Sequence, residues 1–255
     1  MMPLALALSP HLDDAAFSCG GTLARLARAG WQVVVATLFT ASVARPTGFA
    51  LACQLDKGLG PEVDYMALRR AEDAAACASL GALARHLALP EAPHRGYGSA
   101  AALFGDLLPE DGIGPALAAA LASLSAETPP DLLLAPQAIG GHVDHVQLVR
   151  ALRAVAPAAP VLWWRDFPYT VRHPDPKTPF CRDFALLPDV AVRLSAEDEA
   201  RKEAACAAYA SQLGFQFGGR EGLAARLRAE AGCERFRAQG RVPAGVPVED
   251  LPAGP

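Results

Sequence analysis

The chain has 255 residues, is 52% hydrophobic and carries a formal charge of -4; that is enough apolar side chain for one substantial core in a single domain spanning 1–255. Its weak negative charge gives no general attraction to phosphate backbones or anionic membranes, which argues against nucleic acid as a partner. No stretch approaches the roughly 20 uninterrupted apolar residues of a membrane helix.

The opening run Pro3 to Ser9 has no basic segment before it and carboxylates straight after it, so it reads as a buried strand and not as a signal peptide. A soluble, cytoplasmic protein is expected. GGTLARLARAG (20–30) reads as a helix closed by Gly30, and WQVVVATLF (31–39) as a second strand. Residues 40–64, with two prolines, three glycines and little periodicity, read as a long functional loop. DYMALRRAEDAAACASLG (64–81) is helical with a closing glycine, and HLALP (86–90) is a short strand. A Gly/Pro-bearing excursion (91–113) precedes a helix at 114–124 that has Pro115 in its first turn. DLLLAP (131–136) is a buried strand, Gly140-Gly141 a break, and a helix begins near 143. A strand at 160–169, another at 190–196, a charged helix to about Gln212 and a glycine-punctuated helical tail follow, with 245–255 frayed. The alternation predicts an α/β fold, a Rossmann-like, mainly parallel sheet flanked by helices with a C-terminal strand and helix extension. The six cysteines form no CxxC pair and read as reduced thiols.

Open α/β sheets place ligands at the carboxyl ends of their strands, and two such ends carry the polar chemistry. After the first strand, His11, Asp13 and Asp14 fall within four residues; after the strand at 131–136, His142, Asp144 and His145 do the same. Capping is the bland reading of the first cluster, since Asp suits helix N-termini. Two histidines and an acid in four residues are harder to explain that way. If both loops meet on one rim, His11, Asp14 and His145 make a three-ligand zinc set that leaves a position for water. Asp13 and His142 remain as base and oxyanion partner for a metal-activated water.

These residues resemble the PIG-L/LmbE family of zinc-dependent N-acetylglucosaminyl deacetylases, with its N-terminal [AP]-H-P-D-D-E motif and distal H-x-D-H motif. They stand here as Pro10-His11-Leu12-Asp13-Asp14-Ala15 and His142-Val143-Asp144-His145. Further likenesses are Gly20-Gly21-Thr22-Leu23, Arg69-Arg70-Ala71-Glu72 with Leu80-Gly81, and Tyr209-Ala210-Ser211-Gln212, which extend the match over nearly the whole chain. The resemblance implies His11, Asp14 and His145 as ligands of Zn²⁺ or of another divalent metal such as Fe²⁺. It implies Asp13 as general base, and His142, oriented by Asp144, as the group that stabilises the oxyanion or protonates the amine. Arg69 is then a candidate substrate contact, the alternative being an ion pair with Glu72 or Asp73. The implied activity is removal of an N-acyl group, expected to be N-acetyl, from a small-molecule amino sugar conjugate.

Two positions depart from the family pattern: Leu12 replaces a proline and Ala15 a glutamate. Neither removes a ligand or the base, but substrate choice can shift. Tyr169 is read as a substrate or oxyanion contact, with a half-buried aromatic as the alternative. His94, Arg95 and Tyr97 lie in a loop read as a candidate lining of a sugar pocket, with most of it as surface, and His173-Pro174-Asp175-Pro176 as a loop without a second Asp. Two histidines and a carboxylate also describe non-haem Fe(II) oxygenases, whose all-β setting does not fit this pattern. A decayed carbohydrate- or metal-binding protein would have no use for both Asp13 and His142. Leu- and Ala-rich helix faces serve cores and interfaces alike, so a homo-oligomer stays open.

Overall fold

The computed structural model describes residues 2–127, 129–172 and 174–251. The strands β1 (Leu4–Ser9), β2 (Gln32–Thr37), β3 (Leu83–His86), β4 (Leu132–Pro136), β5 (Val161–Trp164), β6 (Asp189–Arg193), β7 (Cys233–Gln239) and β8 (Glu249–Asp250) form one sheet in the order β3-β2-β1-β4-β5-β7-β6-β8. The first five pair in parallel, and β7, β6 and β8 extend the sheet antiparallel. The α/β class and the mainly parallel sheet follow from why these segments are strands. LALALS is apolar up to its closing Ser9 because both its faces are covered. Ala5 and Ala7 join the core under α1 (Asp14–Arg28), α3 (Tyr65–Leu80) and α9 (Ala196–Ala208). Leu6 and Leu8 join the core under α5 (Ile113–Glu127) and α6 (Val143–Val155). Each fully buried leucine contributes about 1.5–3 kcal/mol.

The strand order reverses at β1: β2 and β3 lie on one side of it, β4 and β5 on the other. The loops leaving β1 and β4 therefore diverge at a topological switch point, where open α/β sheets form their crevice.

Helix α1 is bent at Cys19 (φ -142°, ψ 20°). The bend frees the amides of the turn that follows, and the buried carboxylate of Glu234 accepts from Gly21 N (3.0 Å) and Thr22 N (2.7 Å), balanced by Lys202 at 2.7 Å. A Cβ on Gly21 would meet Leu194 at 2.4 Å, which accounts for the glycine. Farther along, Asp64 caps α3 through Ala67 N, and Gly81 (φ 74°) ends it.

Several boundaries differ from the sequence-based expectation. The loop at 40–64 contains α2 (Gly48–Leu55). β3 lies at 83–86 and not 86–90, because parallel pairing sets Leu83–His86 opposite Val34–Thr37. Residues 100–103 form α4 (Ala100–Leu103). The strand expected at 160–169 ends at Trp164, and the chain turns through α7 (Tyr169–Arg172) and α8 (Cys181–Phe184). The charged helix breaks at Tyr209, whose hydroxyl donates to Asp73, while Ser211 N and Oγ bond Glu72; α10 (Ala210–Phe217) and α11 (Arg220–Ala229) follow. The expected helical tail holds β7, and the segment expected to fray holds β8, paired with β6, and a buried Val246. Positions 252–255 of that segment, and His173 of the HPDP loop, lie outside the described residues. All six cysteines are free thiols. Among the described residues no helix is long and apolar enough to cross a membrane.

Candidate active site

Both polar loops arrive at the switch point, and a third does so as well: Asp166, two residues beyond β5 and 1% exposed. Asp166 Oδ1 lies 2.8 Å from His145 Nδ1, and its Oδ2 accepts from Ile139 N at 2.9 Å. A buried carboxylate on Nδ1 places the imidazole proton there and turns the lone pair of Nε2 inward. Nε2 has no hydrogen-bond partner and lies 3.2 Å from Asp14 Oδ2. His11 is held in the mirror sense, with Nε2 2.9 Å from Asp144 Oδ2 and Nδ1 3.3 Å from the same Asp14 oxygen. Two imidazole lone pairs and one carboxylate oxygen thus converge. With ligand distances near 2.0–2.1 Å, a tetrahedral site has ligand-to-ligand edges of about 3.3 Å, so the residues present fit a divalent cation. Burial works to lower His145, but Asp14 and Asp166 outweigh it and push it up to about 9, so a cation binding at Nε2 would displace a proton.

A side-chain nitrogen of His142 also lies within 4.8 Å of nitrogens of His11 and His145. Its Nδ1 accepts from the Asp144 amide at 3.2 Å. An amide can only donate, so the neutral ring carries its proton on Nε2, which makes that atom a hydrogen-bond donor and not a metal ligand. Burial and the neighbouring His11 lower His142 to about 3, leaving it neutral at pH 7. Asp144 orients His142 through its backbone amide, while its carboxylate bonds His11 Nε2 and Ala92 N (3.1 Å) and forms an ion pair with Arg95 (2.7 Å).

Asp13 makes no side-chain cap bond to α1 and sits at φ 150°, a backbone region that non-glycine residues rarely occupy outside functional sites. The capping reading of Asp13 therefore fails. Its Oδ2 accepts from Gln216 Nε2 at 2.9 Å, and the Arg69 guanidinium lies 3.7 Å away. Burial raises Asp13 to about 7, against the pull of Arg69 and with help from Asp14. Arg69 is 6% exposed and donates to Leu12 O (3.0 Å) and Glu91 (2.8 Å). It pairs with neither Glu72 nor Asp73, so it braces the Asp13 loop from α3. Tyr169 packs over Gly140 and lies 5.8 Å from the His145 ring.

His11, Asp13, Asp14, His142 and Asp144 floor a cavity of about 300 Å³. Its walls come from the segments at 49–57, 100–104 and 168–172 and from α10 at 212–216. Arg95 and Tyr97 are not surface: the Arg95 guanidinium joins Asp144 to Asp111, which also accepts from Tyr97 OH at 2.9 Å. Asp166 escaped the sequence reading because it fell inside the overlong strand at 160–169. A stop at Trp164 would have exposed it as a third acid at a strand's carboxyl end. Gln216 carries no such signal. Leu12 and Ala15, the two departures, are both buried.

Residues 6–156 match the family model described as GlcNAc-PI de-N-acetylase, PIG-L, and the chain belongs to that family. It is 37% identical over 167 residues to the 2'-N-acetylparomamine deacetylase of Streptomyces fradiae, an alignment covering 64% of this chain and 57% of that protein, less than two thirds of its length. The fold matches the crystal structure of the A40926 pseudoaglycone deacetylase Dbv21 with a TM-score of 0.76 and 31% identity, over 94% of this chain and 98% of that one. It matches the zinc-inhibited form of the teicoplanin deacetylase Orf2 with a TM-score of 0.77 and 25% identity, over 98% and 100%.

Proposed function

We propose that this chain is a divalent-metal N-deacetylase, with zinc as the expected metal, that removes the acetyl group from an amino sugar carried on a small glycoside. The observation that carries this reading is the convergence of His11 Nδ1, His145 Nε2 and Asp14 Oδ2 beside two groups not needed for metal binding, Asp13 and His142. A cation held by His11, Asp14 and His145 supplies Lewis-acid activation of water and of the amide carbonyl.

The chain's own residues then divide the work. Gln216 and Arg69 hold Asp13 at one oxygen, leaving the other free to take a proton from water. The water oxygen attacks the carbonyl carbon, and the Nε2–H of neutral His142 donates to the oxygen on which charge develops. The carbon–nitrogen bond breaks, and the amine leaves with the proton held by Asp13. With its carboxyl near 7, Asp13 is suited to both transfers, and a His142 that stays neutral favours the oxyanion role over proton donation.

The test is free-amine release from a panel of N-acetylglucosaminides, with the metal titrated stoichiometrically because the Orf2 relative has a zinc-inhibited form. Asp13→Asn should bind metal normally and lose about 10²–10⁴ in rate, and chelation should abolish turnover. Near-normal turnover by Asp13→Asn, or full activity after chelation, would overturn the proposal.

A further inference from the structure

We infer that the mouth of this cavity is a subsite for the aglycone, selecting one that presents an apolar ring and carries no positive charge. The inference rests on the amino-sugar reading above. At about 300 Å³ the cavity is at the small end of ligand sites, which run to about 1,000 Å³; an acylated sugar ring fills it, and whatever the sugar is attached to lies against the rim.

The rim is built for an apolar partner. Phe104 and Phe215 are 38% and 66% exposed, and they are the two aromatic rings among the large hydrophobic side chains left open to solvent in the described residues. Both line this one cavity, from different elements. Single exposed apolar side chains are ordinary, but two phenyl rings facing the same opening, continuous with a polar site, mark a binding surface. Phe215 packs no core, and the Lys57 ammonium 4.9 Å over its ring still leaves it two-thirds exposed.

The charge selection comes from Lys57 and Arg172. Lys57 Nζ donates to Cys53 O at 2.9 Å and lies 4.9 Å from the Phe215 ring, and Arg172 Nη2 donates to Gln216 O at 2.7 Å, so each of these two neighbours has a cation beside it. Both line the cavity, and among the described residues neither has a carboxylate within 4.0 Å. The cations nearer the floor, Arg69 and Arg95, are by contrast paired with Glu91, Asp111 and Asp144. A polyamine aglycone would meet two cations that hold no salt bridge, with Asp56 lining the cavity beside Lys57, whereas a neutral or anionic aromatic one would stack on Phe215 beside them.

The experiment compares phenyl and methyl β-glycosides of N-acetylglucosamine, and a glycoside whose aglycone is a diaminocyclitol, by KM. The deacetylated product of each is compared by calorimetric Kd. Wild type should prefer phenyl over methyl about fivefold or more, and discriminate against the diaminocyclitol. Phe215→Ala should close the phenyl–methyl gap and Phe215→Trp should keep it, while Lys57→Gln with Arg172→Gln should relieve the discrimination. Equal affinity of wild type for the phenyl and methyl products, or tighter binding of the diaminocyclitol glycoside, overturns the inference. Binding preferences that appear without any turnover would leave the subsite standing and sink the deacetylase reading instead.

Discussion

Replacing Asp166 with asparagine tests the metal site without touching a ligand. Two buried donors, His145 Nδ1–H and Ile139 N–H, each hold one oxygen of this carboxylate, at 2.8 and 2.9 Å. An amide has one oxygen and one NH₂, so Asp166→Asn can satisfy only one of them. If the NH₂ faces His145, the ring must accept at Nδ1 and carry its proton on Nε2, pointing at Asp14 where the lone pair is needed. Losing an outer partner of this kind costs 10- to 100-fold in metal affinity, or about 1.4–2.7 kcal/mol. If the NH₂ faces Ile139, metal affinity is spared, and an unpaired buried donor costs about 1–3 kcal/mol of folding stability. Zinc Kd by competition with a fluorescent chelator, together with urea unfolding of the metal-free protein, reads both branches. A variant unchanged in both would refute the assignment of Asp166 as the residue that sets the His145 tautomer.

The pH profile should show one acid limb near neutrality. Asp13 must be ionised to act as base and burial holds it near 7, so log kcat/KM should fall as pH drops through that value, or through a lower one once a cation beside it favours the carboxylate; a flat profile down to pH 5 would contradict this. His142, held near 3, should add no limb there, and His142→Ala should lower kcat by about 10²–10³ with metal content unchanged, checked by steady-state kinetics and metal analysis. Arg95→Met strands Asp111 and Asp144 without their cation and should cost about 3–5 kcal/mol in denaturant unfolding; a loss below 1 kcal/mol would mean the pair is solvated.

The residues that could ligate a metal were legible because each cluster is local. His11 to Asp14 and His142 to His145 each occupy four positions beside an apolar strand, and strand, break and helix onset are written in neighbouring side chains. Periodicity likewise located β1, β2, β4, α3 and α6. Division of labour within the site was not local. Asp144 belongs by position to His142 and by contact to His11, 133 residues away; Gln216 reaches Asp13 across 203 positions, and Glu234 reaches Gly21 across 213. β7 was hidden for the same reason, since CERFRAQ is a strand only because β5 and β6 offer it edges on both sides. What the sequence determined by itself was the inventory of donors and the places where the chain leaves the core. Which donor holds which proton was decided by the tertiary structure, because a tautomer follows from the partner opposite each ring nitrogen, and only the folded chain supplies that partner.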